Sequence, residues 1–168
     1  LAWHKQKFDL VAAYEFYAPT AQWDAREPAQ PGKDFWTHMF SFGGTYYFDQ
    51  EKTWAASLLA RYEIHGEKNH QKVTAGDDFH FEWGISKSFA KLWEVGVVGY
   101  SQWQVNDDQG ADVTWDRSVH DEVHAVGLEV SRFFVKPQMN VSLRHEQEFH
   151  AVDRPEGHMT MLTLTKVF

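Results

Sequence analysis

The sequence is short of several features that define common classes of protein. Its 168 residues include no cysteine, which excludes disulfide staples, cysteine nucleophiles and cysteine-ligated zinc sites. No apolar run approaches the roughly 18 residues that a membrane-spanning helix needs. Lysine and arginine number 16 against 24 acidic residues, for a formal charge of −8. This acidic balance argues against nucleic acid as a partner.

Helical periodicity is also weak, and alternation with a period of two residues recurs instead. In the segment 79–89, for example, the aromatic residues Phe79, Phe81 and Trp83 alternate with smaller or polar ones. The predicted strands span residues 7–17, 35–48, 54–65, 78–89, 93–105, 122–134, 139–150 and 158–168. Each has about the ten residues that a tilted strand needs to cross a bilayer.

The connections between these strands alternate in length. Long segments at 18–33, 66–77 and 106–120 alternate with short ones at 49–53, 90–92 and 135–138, and the segment 153–157 is intermediate. Long loops on one side and tight turns on the other are typical of an outer-membrane barrel. The alternative is chance variation among the hairpins of a soluble meander.

Aromatic residues are abundant, with 8 Trp, 6 Tyr and 13 Phe. On the apolar face of the predicted strands they gather near the two ends, with smaller residues such as Ala12, Gly44 and Val97 between them. Two aromatic belts around an aliphatic middle are what the two membrane interfaces select. The predicted membrane-interface aromatics are Trp36, Phe48, Trp54, Phe79, Phe89, Trp93, Trp103 and Phe168.

The opposite face carries many charges, which suit either solvent around a soluble barrel or a hydrated lumen but not a dry interior. Together with the belts, they favour the lumen. The predicted lumen-lining residues are Asp9, Glu15, Arg61, Glu63, His80, Glu82, Gln102, Gln104, Glu129, Arg144, Glu146 and Glu148. Their acidic excess predicts a preference for cations. His145 and Gln147 fit poorly on a lipid-facing side, which predicts a bulge or a cover in their strand.

The final strand, HMTMLTLTKVF, ends in Phe168. It resembles the terminal signal that the outer-membrane assembly machinery of Gram-negative bacteria reads, although Lys166 departs from that pattern. From about residue 34 onward, segments such as FWTHMFSFGGTYYFDQEKTWAASLLARYEIHGEK, GDDFHFEWGISKSFAKLWEVGVVGYSQWQV, DVTWDRSVHDEVHAVGLEVS and DRPEGHMTMLTLTKVF resemble an outer-membrane channel family. That family is named for involvement in the meta-pathway of phenol degradation, and its members are also described as transporters.

This resemblance implies a β-barrel channel in the bacterial outer membrane for passive uptake of small hydrophobic or aromatic compounds. Members of the family resemble barrels of about twelve strands, whereas eight are counted here. Residues 1–168 are therefore expected to form a single all-β, antiparallel transmembrane barrel domain or the C-terminal portion of one. Leu1 is not an initiator methionine and no signal segment follows it, so the chain is either mature or lacks its N-terminal part.

No metal site, cofactor or enzymatic activity is predicted. His80 and Glu82 share a lumen face, where a solvated polar lining is favoured over a metal-ligand pair. The acidic segments Asp77-Asp78 and Asp107-Asp108 match no EF-hand loop and are interpreted as exposed acids. The expected partners are outer-membrane lipid and lipopolysaccharide, the assembly machinery and a small hydrophobic substrate. Two alternatives remain open: a barrel enzyme acting on lipid, with His65, His150, Ser118 and Glu67 near the outer rim, and a soluble barrel that binds a hydrophobic ligand.

Overall fold

The computed structural model describes residues 1–24 and 32–166, which form one antiparallel sheet. Its nine strands pair in chain order, each with its sequence neighbours. The strands are β1 (Ala2–His4), β2 (Phe8–Tyr17), β3 (Thr37–Tyr47), β4 (Trp54–His65), β5 (Asp78–Phe89), β6 (Trp93–Gln104), β7 (Glu122–Phe134), β8 (Met139–Val152) and β9 (His158–Lys166). Over the described ranges, the chain has no helix with the length and apolar character to traverse a membrane.

All eight predicted strands are present, with ends that shift by a few residues. The predicted count was wrong by one, because β1 is a three-residue strand that pairs with Asp9, Leu10 and Val11 of β2. Three residues are too few to display a period of two. Phe168, the predicted end of the last strand, lies outside the described residues.

The alternation of connection lengths is also present. Short turns join β3 to β4, β5 to β6 and β7 to β8, whereas long segments join β2 to β3, β4 to β5 and β6 to β7. Residues with positive φ occupy each short turn: Lys52 (φ 55°), Ala90 (φ 47°) and Lys91 (φ 60°), and Gln138 (φ 49°). The short turns therefore lie at one end of the sheet and the long loops at the other.

The sheet is strongly curled. In a flat sheet β2 and β8 would lie about 29 Å apart, six strand spacings. Yet a single cavity of about 460 Å³ is lined by Val11 of β2, Arg144 of β8 and residues of every strand between them. Within the described residues, however, β1 pairs only with β2 and β9 only with β8. The curled sheet is consistent with the predicted barrel, but it is not closed.

Burial is inverted relative to a soluble protein. Large apolar side chains on one face point to the outside, with Phe42 60% and Leu128 64% exposed. Polar side chains on the other face are enclosed, among them Ser41, Ser142 and Glu146, the last only 2% exposed. The curled sheet thus turns its apolar face outward and its polar face inward.

The predicted irregularity near His145 and Gln147 has a structural counterpart. The pairing of β7 with β8 shifts between His124 and Ala125, where His124 opposes His150 but Ala125 opposes Glu148. Phe149 is the extra residue, so this is a β-bulge. His145 itself stays on the apolar face, where its Nδ1 lies 2.8 Å from Thr160 Oγ1 of β9. The polar side chain of His145 on the apolar face thus has a hydrogen-bond partner on the neighbouring strand.

Candidate functional site

The candidate site is the inward, polar face of the curled sheet. The strand register places all twelve predicted lumen-lining residues on this face. One cross-strand row, for example, runs from Glu15 through Met39, Glu63 and Asp78 to Gln104. That the enclosed space acts as a transport lumen is still a prediction.

A network of alternating charges occupies the middle of the polar face. Arg144 of β8 donates from Nε to Glu129 of β7 at 2.6 Å, and its Nη1 lies 3.7 Å from Glu82 of β5. Glu82 also accepts a hydrogen bond from Arg61 of β4. The network therefore links four strands and places positive and negative groups side by side across the cavity.

Glu146 lies beside this network and differs from it in lacking a partner for one oxygen. Its Oε1 is buried and makes no hydrogen bond with the protein. The side chain lies over Gly127, since a Cβ on that glycine would come within 2.7 Å of Glu146 Cγ. Glycine at 127 thus makes room for a carboxylate that faces the enclosed space.

A second set of polar contacts involves Tyr100, Gln102 and Glu148. The Tyr100 hydroxyl of β6 donates to Glu148 of β8 at 2.7 Å, reaching past the intervening strand. Arg154, just after β8, lies 3.9 Å from Glu148 and donates to Gln102 at 3.5 Å. These contacts tie β6 to β8 on the polar face.

Asp9 and Tyr47 form a polar contact at the short-turn end of the polar face. The Tyr47 hydroxyl donates to Asp9 at 2.7 Å, and the Lys52 ammonium lies 4.1 Å from the Tyr47 ring centroid. In the adjoining turn, Asp49 accepts hydrogen bonds from the Thr53 hydroxyl and from the Trp54 backbone N–H. These bonds hold the pKa of Asp49 below its usual 3.8.

At the opposite, long-loop end, a histidine and two carboxylates converge. Glu63 and Asp78 are direct cross-strand partners, and His65 Nε2 lies 3.3 Å from Asp78 Oδ2. One potential ligand atom from each of these three residues lies within 4.8 Å of the others. Such a set could hold a metal ion, which the sequence did not predict.

The loops at this end are cross-linked by acidic side chains. Asp34 accepts hydrogen bonds from the His70 backbone at 3.0 Å and its Nδ1 at 2.8 Å. Burial raises the pKa of Asp34, but the bonds from His70 lower it more, so it falls below 3.8. Asp108 similarly accepts from Gly76 N–H at 2.9 Å and Trp115 Nε1 at 2.7 Å. In the described parts of the long loops, these hydrogen bonds therefore link one loop to another at this end of the sheet.

Several polar-face residues escaped the sequence prediction. Asp78 begins the predicted strand 78–89 and is the first residue of β5, on the same face as His80 and Glu82, but it is not among the predicted lumen-lining residues. Glu94 lines the same cavity as Glu82, and Tyr100 has the parity of Gln102. Every second residue of a strand faces the same side of the sheet. Counting in steps of two from the predicted lumen-lining residues would therefore have found all three.

The predicted interface aromatics lie on the outward side, near the two ends. Phe48, Trp54, Phe89 and Trp93 are exposed at the short-turn end, where Lys87 lies over Trp54 and Arg132 over Trp93, each at 4.8 Å. At the long-loop end, Trp36 contacts Phe16, and Phe79 stacks on Trp103 with ring centroids 6.2 Å apart. Phe168 lies outside the described residues.

The four rim residues of the enzyme alternative are not brought together. Ser118 donates to Asp116 of its own loop at 2.7 Å, and His65 contacts Thr37 and Asp78. A different group does converge on the outward face. Ser101 Oγ lies 2.9 Å from His124 Nδ1, and His124 Nε2 lies 2.7 Å from Glu122 Oε1.

Comparison with known proteins identifies a family for this chain. The chain shows no match to a curated protein or to a solved structure. Residues 1–164 match the family described as "Putative MetA-pathway of phenol degradation". This match covers nearly the whole chain and agrees with the resemblance seen in the sequence, so the chain belongs to the MetA-pathway phenol-degradation family.

Proposed function

We propose that this chain forms the wall of a bacterial outer-membrane channel for passive uptake of small hydrophobic or aromatic compounds. The observation that carries the proposal is the inverted burial of the sheet. Exposed residues such as Phe42, Leu128 and Leu162 cover the outside, whereas a charged network lies inside. An apolar surface of this extent is stable against lipid and would drive aggregation in water.

The family supports the choice of substrate class, because its description refers to phenol degradation. A cavity of about 460 Å³ falls in the size range of small-molecule sites. The alternating charges of Arg61, Glu82 and Arg144 would create a field across this space that orders water and restricts ions. Selection would then be steric and electrostatic, with no covalent chemistry.

The proposed partners follow from the same surfaces. Membrane lipid would cover the apolar face, with lipopolysaccharide in the outer leaflet, and the aromatic residues at the two ends would lie at the interfaces. In β9 every described side chain is exposed, and its free edge could be handled by the assembly machinery during insertion. A soluble barrel that binds a hydrophobic ligand is less well supported, because a soluble barrel turns polar side chains outward, whereas Phe42 and Leu128 are exposed on the outside of this sheet.

The first experiment is membrane fractionation of the expressed chain, followed by gel electrophoresis with and without boiling. We expect the chain in the outer-membrane fraction and a mobility that changes on heating, as folded barrels show. Planar-bilayer recordings across a KCl gradient should then give a reversal potential that favours cations, because acids outnumber arginines on the polar face. Recovery of folded chain in the aqueous fraction without detergent would overturn the proposal, and anion preference would overturn the selectivity.

A second candidate function, hydrolysis of membrane lipid esters, is favoured by the Ser101–His124–Glu122 cluster alone. A hydroxyl, an imidazole and a carboxylate in hydrogen-bonded sequence can activate a nucleophile. The Ser101 oxygen would attack the ester carbonyl, with His124 passing the proton to the departing alcohol; water would then release the fatty acid. Vesicles of labelled phospholipid test this directly: Ser101→Ala should abolish fatty-acid release and Ser131→Ala should not. No release by the unaltered chain would eliminate this candidate.

A further inference from the structure

The long-loop end of the polar face contains a set of side chains with the chemistry of a metal site. Glu63 and His65 are two residues apart on β4 and therefore point to the same side of the sheet. Asp78, the first residue of β5, is the direct cross-strand partner of Glu63. Three ligand-bearing side chains from two adjacent strands thus meet at one place.

The spacing of the donor atoms suits a small divalent ion. One donor atom of each residue lies within 4.8 Å of the other two, and His65 Nε2 lies 3.3 Å from Asp78 Oδ2. Ligands around tetrahedral zinc are about 3.4 Å from one another, given bonds of roughly 2.1 Å. Small rotations of the two carboxylates are therefore enough to converge on one ion.

Neighbouring groups hold two of the three ligands in place. Thr37 Oγ1, which is buried, lies 3.0 Å from His65 Nδ1, and the His65 side chain is only 3% exposed. Glu63 Oε1 lies 3.1 Å from His80 Nε2. Metal-binding histidines and carboxylates characteristically have their remaining polar atoms held in this way, because the outer contacts fix the ligand orientation.

The electrostatic environment of these side chains also favours the binding of a cation. Like charges placed directly opposite each other on neighbouring strands are destabilising, and Glu63 and Asp78 are such a pair. A third carboxylate, that of Asp77, lies 3.3 Å from the backbone N–H of His65. Lys33 already places one positive charge near Glu63, and a bound divalent ion would offset the remaining excess of carboxylates.

The site is reachable, and its donors indicate which ion it would take. Of the three ligands, Glu63 lines a cavity of about 450 Å³ at this end, together with Thr37, Lys33 and Phe35, so an ion would approach from the side of Glu63. One imidazole nitrogen and two carboxylate oxygens suit Zn²⁺ and similar first-row ions, whereas magnesium and calcium prefer oxygen ligands alone. Three protein ligands leave a fourth position for water or another small ligand.

From this geometry we propose that Glu63, His65 and Asp78 bind one Zn²⁺-class divalent ion at the long-loop end of the channel wall. The binding itself does not depend on conduction, so the site can be tested even if the chain proves not to be a channel. The bound ion would add positive charge to the long-loop end of the polar face, where carboxylates are numerous.

The test is equilibrium binding of ZnCl₂ to the full chain, folded in detergent and stripped with EDTA, measured by titration calorimetry. We expect each chain to bind one equivalent of Zn²⁺ with high affinity. The affinity should fall at least tenfold in His65→Gln and in Asp78→Asn. It should fall about 10- to 100-fold in Thr37→Val, which removes only the contact that holds His65 in place. His38→Gln is the matched control, because His38 lies on β3 but faces outward and contacts Tyr14. The affinity of the His38→Gln variant for zinc should equal that of the unaltered chain.

Co²⁺ provides an independent readout, since a four-coordinate site with a histidine ligand gives intense visible absorption bands that Zn²⁺ then displaces. Heat-dependent gel mobility reports whether each variant is folded. The proposal is overturned if the unaltered chain gives no such bands and no stoichiometric zinc binding. It is equally overturned if a folded His65→Gln or Asp78→Asn variant binds zinc as tightly as the His38→Gln control.

Discussion

The charge network on the polar face allows a stability prediction that can be worked through. Replacing Arg144 by Met removes its 2.6 Å hydrogen bond to Glu129 and its 3.7 Å contact with Glu82, while an unbranched side chain still fills much of the space. A hydrogen bond between charged groups contributes about 1.5–3 kcal/mol. The Arg144 and Glu129 side chains are 29% and 24% exposed, so screening by water places the expected loss near the lower end, about 1.5 kcal/mol.

The measurement is urea-induced unfolding of the chain in lipid vesicles, followed by the fluorescence of its 8 tryptophans. Arg144→Met and Glu129→Met should each lower the free energy of unfolding by about 1.5 kcal/mol, since each leaves the other group without its partner. The double variant should lose far less than the sum, because the interaction is lost only once. Lys136→Met, an exposed cation in the turn between β7 and β8, should stay within about 0.5 kcal/mol.

Additive losses in this cycle would refute the reasoning. They would show that Arg144 and Glu129 do not interact across β7 and β8 in the folded state. The linked contact between Arg144 and Glu82, which spans three strand spacings from β8 to β5, would then lose its main support. The inward curl of the sheet would then rest on the shared cavity and on the hydrogen bond from Tyr100 of β6 to Glu148 of β8.

The strands and their two faces were predictable because a period of two residues is visible in each long segment. Short turns then fix the register, as at residues 90–92, where Phe89 opposes Trp93. Once the register is set, the two-residue alternation of side chains is enough to place residues such as Arg61 and Glu82 on the same face. This is why the predicted polar face agrees with the observed pairing.

Contacts that depend on curvature were not predictable in this way. Alternation assigns Glu82 and Arg144 to one face but says nothing about how far β5 and β8 bend toward each other. The bulge at Phe149 was expected only as a misfit somewhere in its strand. Alternation also places Asp78, at the start of its predicted strand, on the polar face, but it does not show that Asp78 Oδ2 lies 3.3 Å from His65 Nε2.

Three further predictions use the same unfolding assay or NMR. Glu146→Gln should raise the free energy of unfolding by about 1–3 kcal/mol, because it removes a buried charge whose Oε1 has no hydrogen-bond partner; a loss would mean that the carboxylate is paired. Gly110→Ala should cost about 1–3 kcal/mol, because φ is 122° and a Cβ would overlap the Lys72 carbonyl; Gly157→Ala, where the nearest atom is 3.6 Å away, is the control. The last concerns pH. The folded-state pKa of Asp34 lies below its ordinary 3.8, so its bonds to His70 contribute stability that is fully present above that value. The contribution is lost as pH falls through the lower, folded pKa. The His70 amide resonance should therefore shift toward its unfolded position only below about pH 4, and Asp34→Asn should abolish that transition. A transition that persists in Asp34→Asn would assign it to another group.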